Sequence, residues 1–176
     1  MKVLAFGATN SRQSINKQLA KYAASLTGST QIELIDLNDY EMAIYSIDKE
    51  NENGIPEKAK NFIRKIADAD VVIVSFAEYN GVYTSAFKNV YDWASRVEHK
   101  IFQSKPAVFL STSPGGAGAK SVLNFAVESA KYMGADLKAS LSVANFYNVF
   151  DEKNSRINDP AINAQLKHAI STLNLF

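Results

Sequence analysis

Cysteine is absent from the 176-residue chain, and histidine occurs only as His99 and His168. The absence of thiols excludes disulfides, thiolate metal sites and thiol nucleophiles. His99 follows a predicted helix in a charged context and His168 lies in the last predicted helix, so we expect both at the surface. No His, Asp and Glu cluster has the spacing of a metal site, and no catalytic triad is apparent. We therefore expect neither a metal ion nor triad catalysis.

Long hydrophobic runs are also absent. No segment approaches the roughly 20 apolar residues of a membrane span, and the apolar run at residues 3–6 is too short for a signal peptide. The formal net charge of +1 gives no reason to expect nucleic acid or a membrane surface as a partner. Hydrophobic residues make up 47% and charged residues 21%, a normal globular balance. We expect one cytoplasmic domain over residues 1–176.

Strand and helix patterns alternate along the chain. The predicted strands are 3–6, 32–37, 70–76, 106–110 and about 141–144. The predicted helices are 15–26, 57–67, 85–97, 121–133 and 160–173, whereas 38–56 is expected to be a surface loop. The third strand is a continuous apolar run, which indicates a parallel sheet covered by helices. The pattern predicts a doubly wound α/β fold, whose ligands bind beyond the carboxyl ends of the strands.

The loop after the first strand, residues 7–16, is rich in hydroxyl and amide side chains and leads directly into a helix. Ser14 is the expected cap of that helix. Free N–H groups and a partial positive charge at a helix N-terminus favour a phosphate. The loop has neither a G-x-G-x-x-G nor a G-x-x-x-x-G-K-[ST] motif, so a terminal monophosphate suits it better than a dinucleotide or triphosphate. An ordinary capped turn is the alternative.

Two further loops suit a flat ring. Residues 77–84 place Tyr79 beside Asn80-Gly81, which offers an aromatic face and exposed backbone amides. Residues 111–119 contain three glycines, which let a planar ligand approach the backbone closely. Backbone groups of both loops can bond the polar edge of an isoalloxazine ring. The alternative is a pair of ordinary turns.

Taken together, these loops resemble the NADPH-dependent FMN reductase family of flavin, quinone, chromate and azo-dye reductases. The most specific segments are Ala77-Glu78-Tyr79-Asn80-Gly81, the helical run 87–96 (FKNVYDWASR) and Ser111-Thr112-Ser113-Pro114-Gly115-Gly116. Asn10-Ser11 and Ser14-Ile15-Asn16-Lys17 are similar to the family's phosphate loop. The similarity extends over the full length. Ala77 departs from the family's usual proline, and Ala117 stands where an arginine is common.

The resemblance implies a flavodoxin-like doubly wound sandwich, with a five-stranded parallel sheet in the order 2-1-3-4-5 and helices on both faces. It implies FMN as cofactor, NADPH or NADH as electron donor, a small-molecule acceptor, and a homodimer or homotetramer. The chemistry takes place on the flavin, so no catalytic side chain is assigned. The implied cofactor-binding residues are Thr9, Ser11, Arg12, Ser14, Ile15, Asn16, Ala77, Glu78, Tyr79, Asn80, Gly81, Ser113, Pro114, Gly115 and Gly116.

Two other functions remain open. A flavodoxin-type electron carrier has the same fold, although such carriers usually show a T-x-T-G-x-T loop and a strongly acidic surface, both missing here. A flavodoxin-like domain that has lost its ligand and serves as a structural partner is the second, and the substitutions Ala77 and Ala117 keep it open. Oxidation of NADPH or NADH by the isolated protein separates the enzyme from both.

The helix predicted over 85–97 has an unusually wide apolar surface. Phe87, Val90, Tyr91 and Ala94 share one face and Trp93 flanks it. A surface wider than one buried stripe predicts a two-fold dimer with the cofactor near the seam. Deeper burial of the helix under the neighbouring loop is the alternative.

Overall fold

A five-stranded parallel sheet forms the centre of the protein in a computed structural model that describes residues 1–173. Its strands lie in the order β2-β1-β3-β6-β7, which is 2-1-3-4-5 when only these five are counted. The predicted flavodoxin-like doubly wound fold is therefore confirmed. The strands are β1 (Lys2–Ala8), β2 (Gln31–Leu34), β3 (Val71–Phe76), β6 (Pro106–Thr112) and β7 (Asp136–Val143).

Helices cover both faces of the sheet, because successive side chains of each strand point to opposite sides. Along β1, Val3 and Ala5 join one apolar cluster, and Leu4 and Phe6 join the other. The first cluster is covered by α1 (Ile15–Ser25) and α7 (Pro160–Ser171). The second is covered by α3 (Glu57–Asp68), α4 (Ser85–Val97) and α5 (Lys120–Met133).

The stretch 38–56, predicted as a surface loop, contains two short helices, so that prediction is wrong. A 3-10 helix occupies Leu37–Tyr40 and an α-helix, α2, occupies Ile47–Asn53. Side chains initiate both: Asp36 accepts the N–H of Asn38, and Ser46 accepts the N–H of Lys49. The turn at Asp36 also ends β2 at Leu34, before the predicted Leu37. None of the α2 residues is buried, so this helix has no apolar periodicity to recognise.

Residues 42–50, which we call the strap, cross the outer side of α4. Asn89 Oδ1 accepts the N–H of Tyr45 at 2.9 Å, and its Nδ2 donates to the carbonyl of Met42 at 3.0 Å. Trp93 Nε1 donates to the carbonyl of Ala43 at 2.8 Å. The Trp93 side chain is only 2% exposed as a result. The prediction of a broad exposed aromatic surface on this helix is therefore wrong. The strap buries Trp93, as the alternative expected.

Small elements outside the main sheet escaped the sequence interpretation. A hairpin joins β4 (Glu78–Tyr79) to β5 (Val82–Tyr83), and a second joins β8 (Phe150–Asp151) to β9 (Arg156–Ile157), after a short helix, α6 (Phe146–Val149). Asn80 and Gly81 form the two-residue tip of the first hairpin with φ of 57° and 82°, the left-handed conformation that Asn-Gly turns favour. Among the described residues, no helix is long and apolar enough to cross a bilayer.

Candidate functional site

A cleft of about 230 Å³ opens at the carboxyl ends of β1, β3 and β6. It brings together the three loops that the sequence singled out. The predicted site residues that line it are Thr9, Ser11, Ser14, Ile15, Asn16, Ala77, Glu78, Tyr79, Ser113 and Pro114. Because the site sits where the connections leave β1 and β3 in opposite directions, it occupies the switch point expected for ligands in doubly wound folds.

One wall of the cleft is the start of α1. Ser14 caps the helix, since its Oγ accepts the N–H groups of Asn16 at 3.2 Å and Lys17 at 3.4 Å. Within residues 1–173, the backbone N–H groups of residues 12, 13 and 15 have no hydrogen-bond acceptor. Unpaired N–H groups at the positive end of a helix form a concave site for an anion.

Gly7 allows α1 to begin this close to β1. A Cβ at Gly7 would lie 2.8 Å from the backbone nitrogen of Lys17, so a larger residue would push the helix away. The Lys17 ammonium forms an ion pair with Asp36. Partial burial acts to raise the pKa of Asp36, but the hydrogen bonds from Lys17 and Asn38 outweigh it and lower the pKa overall. Lys17 is thus already paired beside the cleft.

The side chain of Asn16 joins three elements. Its Oδ1 accepts from Ser75 Oγ at 2.7 Å and from the N–H of Thr112 at 3.1 Å, and its Nδ2 donates to the carbonyl of Thr112 at 3.1 Å. The residue is 3% exposed. These bonds tie the start of α1 to the ends of β3 and β6, and they leave one Nδ2 hydrogen for a ligand.

The second and third loops are held by hydrogen bonds to backbone carbonyls. The carbonyl of Ser113 accepts the N–H of Phe146, and the carbonyl of Gly115 accepts the N–H of Asn145, so the loop after β6 is tied to the segment after β7. Thr84 Oγ1 donates to the carbonyl of Ala8 at 3.0 Å, which fixes the loop after β3 against the end of β1. These hydrogen bonds therefore fix the two loops that form the walls of the cleft.

Five predicted site residues lie outside the cleft lining. Asn80 and Gly81 are at the hairpin tip, and Gly115 and Gly116 are exposed beyond the rim. Arg12 lines a neighbouring cavity between α1 and the end of β2.

Four lining residues were missed: Gln13, Thr112, Ala119 and Tyr147. Tyr147, which is 59% exposed, follows β7. The rule that ligands bind beyond the carboxyl ends of strands also covers that loop, but only the loops after the first, third and fourth strands were considered. An aromatic pair there, Phe146-Tyr147, was the available signal.

His99 and His168 are both exposed, as predicted. No group of three or more His, Asp or Glu side chains within the described part of the chain is arranged to hold a metal ion. The polar groups that line the cleft are hydroxyls, side-chain amides and the carboxylate of Glu78, and aromatic rings lie beside them.

The profile of the NADPH-dependent FMN reductase family matches residues 1–148. The chain belongs to this family. It is therefore an NAD(P)H-dependent oxidoreductase with FMN as its cofactor. The family resemblance inferred from the loop sequences is confirmed.

Individual relatives agree with this membership. A 2-hydroxy-1,4-benzoquinone reductase from Burkholderia is 37% identical over 109 residues, covering 61% of this chain and 57% of that relative. An NAD(P)H-dependent FMN reductase of Pseudomonas aeruginosa is 26% identical over 167 residues, covering 92% and 87%. The flavoenzyme NAD(P)H:(acceptor) oxidoreductase FerB from Paracoccus denitrificans has a similar fold, with a TM-score of 0.78 at 22% identity, covering 98% of this chain and 94% of that chain.

Proposed function

We propose that the protein passes electrons from NADPH or NADH, through FMN held in the cleft, to a small acceptor of the quinone or flavin class. Bound FMN supplies the chemistry, because it accepts a hydride and returns electrons. The observation that carries this proposal is the convergence of an anion-binding helix N-terminus and two braced loops at one open cleft. The Burkholderia quinone reductase is the relative that supports a quinone acceptor.

The residues present fit the FMN phosphate. A phosphate at the start of α1 would meet the free N–H groups of residues 12, 13 and 15 and the hydroxyls of Thr9, Ser11 and Ser14. Asn16 would contribute its remaining Nδ2 hydrogen while its other bonds hold the strand ends in place. This donor set satisfies a dianion without a lysine.

The ring loops fit the flavin in a different way. Residues 77–81 and 113–116 offer mainly backbone groups, which suit the hydrogen-bonding edge of the isoalloxazine. Tyr79 and Tyr147 are half-exposed or more at the rim, where aromatic rings can stack on a planar ligand. An open cleft leaves one side of the flavin accessible to the nicotinamide and then to the acceptor. The protein's part is to bind, orient and shield the ring.

Turnover by the protein alone tests the proposal. Purified protein, saturated with FMN, is mixed with NADPH or NADH and a benzoquinone, and loss of the reduced nicotinamide is followed by absorbance. We expect oxidation that depends on both FMN and the quinone. Free FMN without protein is the control. No oxidation by folded, FMN-saturated protein would contradict the proposal and favour the electron carrier.

We also propose that the protein forms a homodimer or homotetramer through a face beside the cleft. Trp93 no longer supports this idea, but four other apolar side chains do. Tyr79 and Val82 on the hairpin are 49% and 48% exposed, and Phe125 and Tyr132 on α5 are 44% and 64% exposed. Phe125 contacts the ring of Tyr83, so the hairpin and α5 form one surface. Sedimentation at micromolar concentration checks it: a fully active monomer would contradict the interface.

A further inference from the structure

A carboxylate connects the two loops proposed to flank the flavin ring. Glu78 is the first residue of the β4–β5 hairpin, and its Oε2 accepts the backbone N–H of Val122, at the start of α5, at 2.9 Å. The side chain is half-buried at the cleft wall. Glu78 therefore joins the loop after β3 to the helix that follows the loop after β6.

This bond replaces a cap that the helix lacks. Ala119 occupies the N-cap position of α5 with a left-handed φ of 56°, and it has no side-chain acceptor. An N-cap side chain normally bonds the N–H of the second or third helical residue. Val122 is the third residue of α5, so Glu78 supplies across 44 residues the hydrogen bond that the local sequence does not. Without Glu78, the start of α5 would lose its capping hydrogen bond, and the two loops would lose the bond that connects them.

Glu78 also sets the charge of the cleft. Among the lining residues in the described part of the chain, Glu78 is the only Asp, Glu, Lys, Arg or His. Its negative charge lies against the positive end of α5. Reduction adds negative charge to a flavin, and a fixed carboxylate nearby disfavours that addition.

We propose that Glu78 is a positioning residue with an electrostatic role: it holds the two ring loops together and lowers the reduction potential of the bound flavin. This rests on the proposed function, in which the cleft holds FMN. Two substitutions separate the roles. Glu78→Gln keeps an oxygen acceptor for Val122 but removes the charge, whereas Glu78→Ala removes both. Glu52→Gln, at an exposed glutamate of α2, removes an equal charge outside the cleft and outside the proposed dimer face, and it is the matched control.

The experiment measures three quantities for each variant: the FMN dissociation constant by flavin fluorescence, the flavin potential by equilibration with a reference dye, and the melting temperature of the apoprotein. We expect E78Q to bind FMN nearly as tightly as the wild type but with a higher potential. We expect E78A to bind FMN about tenfold more weakly and to melt at a lower temperature. E52Q should match the wild type in all three.

Each result decides something. A potential in E78Q equal to that of the wild type would overturn the electrostatic role, and it can be read even if E78A fails to fold. FMN affinity and melting temperature unchanged in E78A would overturn the positioning role. A wild-type protein that binds no FMN would instead overturn the proposed function, and this inference with it.

Discussion

The cleft loops and the α4–strap contact both carry motifs of the same family, but the loops line the cleft and the contact anchors the strap. The run 87–96 was among the most specific sequence segments, yet Asn89, Trp93 and Arg96 all bond to the strap, and none lines the cleft. The less distinctive loop at residues 7–16 forms the cleft wall. A specific motif can therefore reflect the anchoring of a long connection rather than the binding of a ligand.

The strap explains why such a motif is needed. Residues 42–45 run outside the sheet, so their backbone groups have no ladder partners, and the groups that face α4 are partly buried and take partners from it. Asn89 and Trp93, one helical turn apart on α4, supply those partners. We therefore expect substitutions in the α4–strap contact to change the free energy of unfolding but not the FMN affinity. Cleft variants should change FMN affinity.

The largest effect should come from Trp93→Ala. It removes a buried ring, which contacts Tyr45 at 5.0 Å between centroids, and the hydrogen bond to Ala43. Large-to-small substitutions of buried aromatic residues cost about 3–5 kcal/mol of unfolding free energy. Urea unfolding followed by circular dichroism measures this, and FMN titration of the folded protein should give the wild-type dissociation constant. An equally large loss of FMN affinity would break the distinction between the regions.

Asn16→Ala should come next, with Asn89→Ala as its matched control. Truncating Asn16 leaves Ser75 Oγ and the N–H of Thr112 buried without a partner, and each such group costs about 1–3 kcal/mol. Because Asn16 holds the strand ends at the cleft, FMN binding should weaken as well. Asn89→Ala should lower stability only. The two variants are compared by chemical unfolding and FMN titration, and equal FMN affinities would mean that Asn16 does not organise the cleft.

Ser14→Ala should have a smaller effect on stability and a clear effect on binding. Loss of the cap costs about 1 kcal/mol of unfolding free energy. Loss of a hydroxyl from a phosphate site costs about 1.5–3 kcal/mol of binding free energy, which is tenfold or more in FMN affinity. Riboflavin provides the internal control, since its affinity should not change. A variant that loses riboflavin and FMN affinity equally would place the phosphate elsewhere.

The smallest effect should be seen at the end of the strap. Arg96 Nε bonds Glu50 at 2.9 Å, and this bond lowers the pKa of Glu50 below its ordinary value of 4.5. The ion pair therefore contributes stability above about pH 4.5, and that contribution is lost as pH falls through the lower folded-state pKa. Fluorescence of Trp93, the single tryptophan, should report loosening of the strap on acidification. Glu50→Gln should remove that step, and an identical titration in this variant would contradict the assignment.

Much of this organisation was predictable from sequence, since it depends on local patterns. The bounds of α4 were predicted as Ser85–Val97, and the Ser14 cap was predicted and is present. The α2 helix was not predicted, because it buries no residue and begins only where Ser46 provides a cap. The coverage of Trp93 by Ala43 joins positions 50 residues apart, which no local pattern records. The inward turn of the Asn16 amide likewise depends on strands β3 and β6.

Comparison of FMN with riboflavin tests the central claim most directly, since the two ligands differ only in the phosphate. Apoprotein is titrated with each ligand, and flavin fluorescence gives the stoichiometry and dissociation constant. One FMN should bind per chain, about a hundredfold or more tighter than riboflavin, because several N–H groups and hydroxyls at the start of α1 would contact the phosphate in the proposed site. Riboflavin binding as tightly as FMN would contradict a phosphate site at residues 9–16.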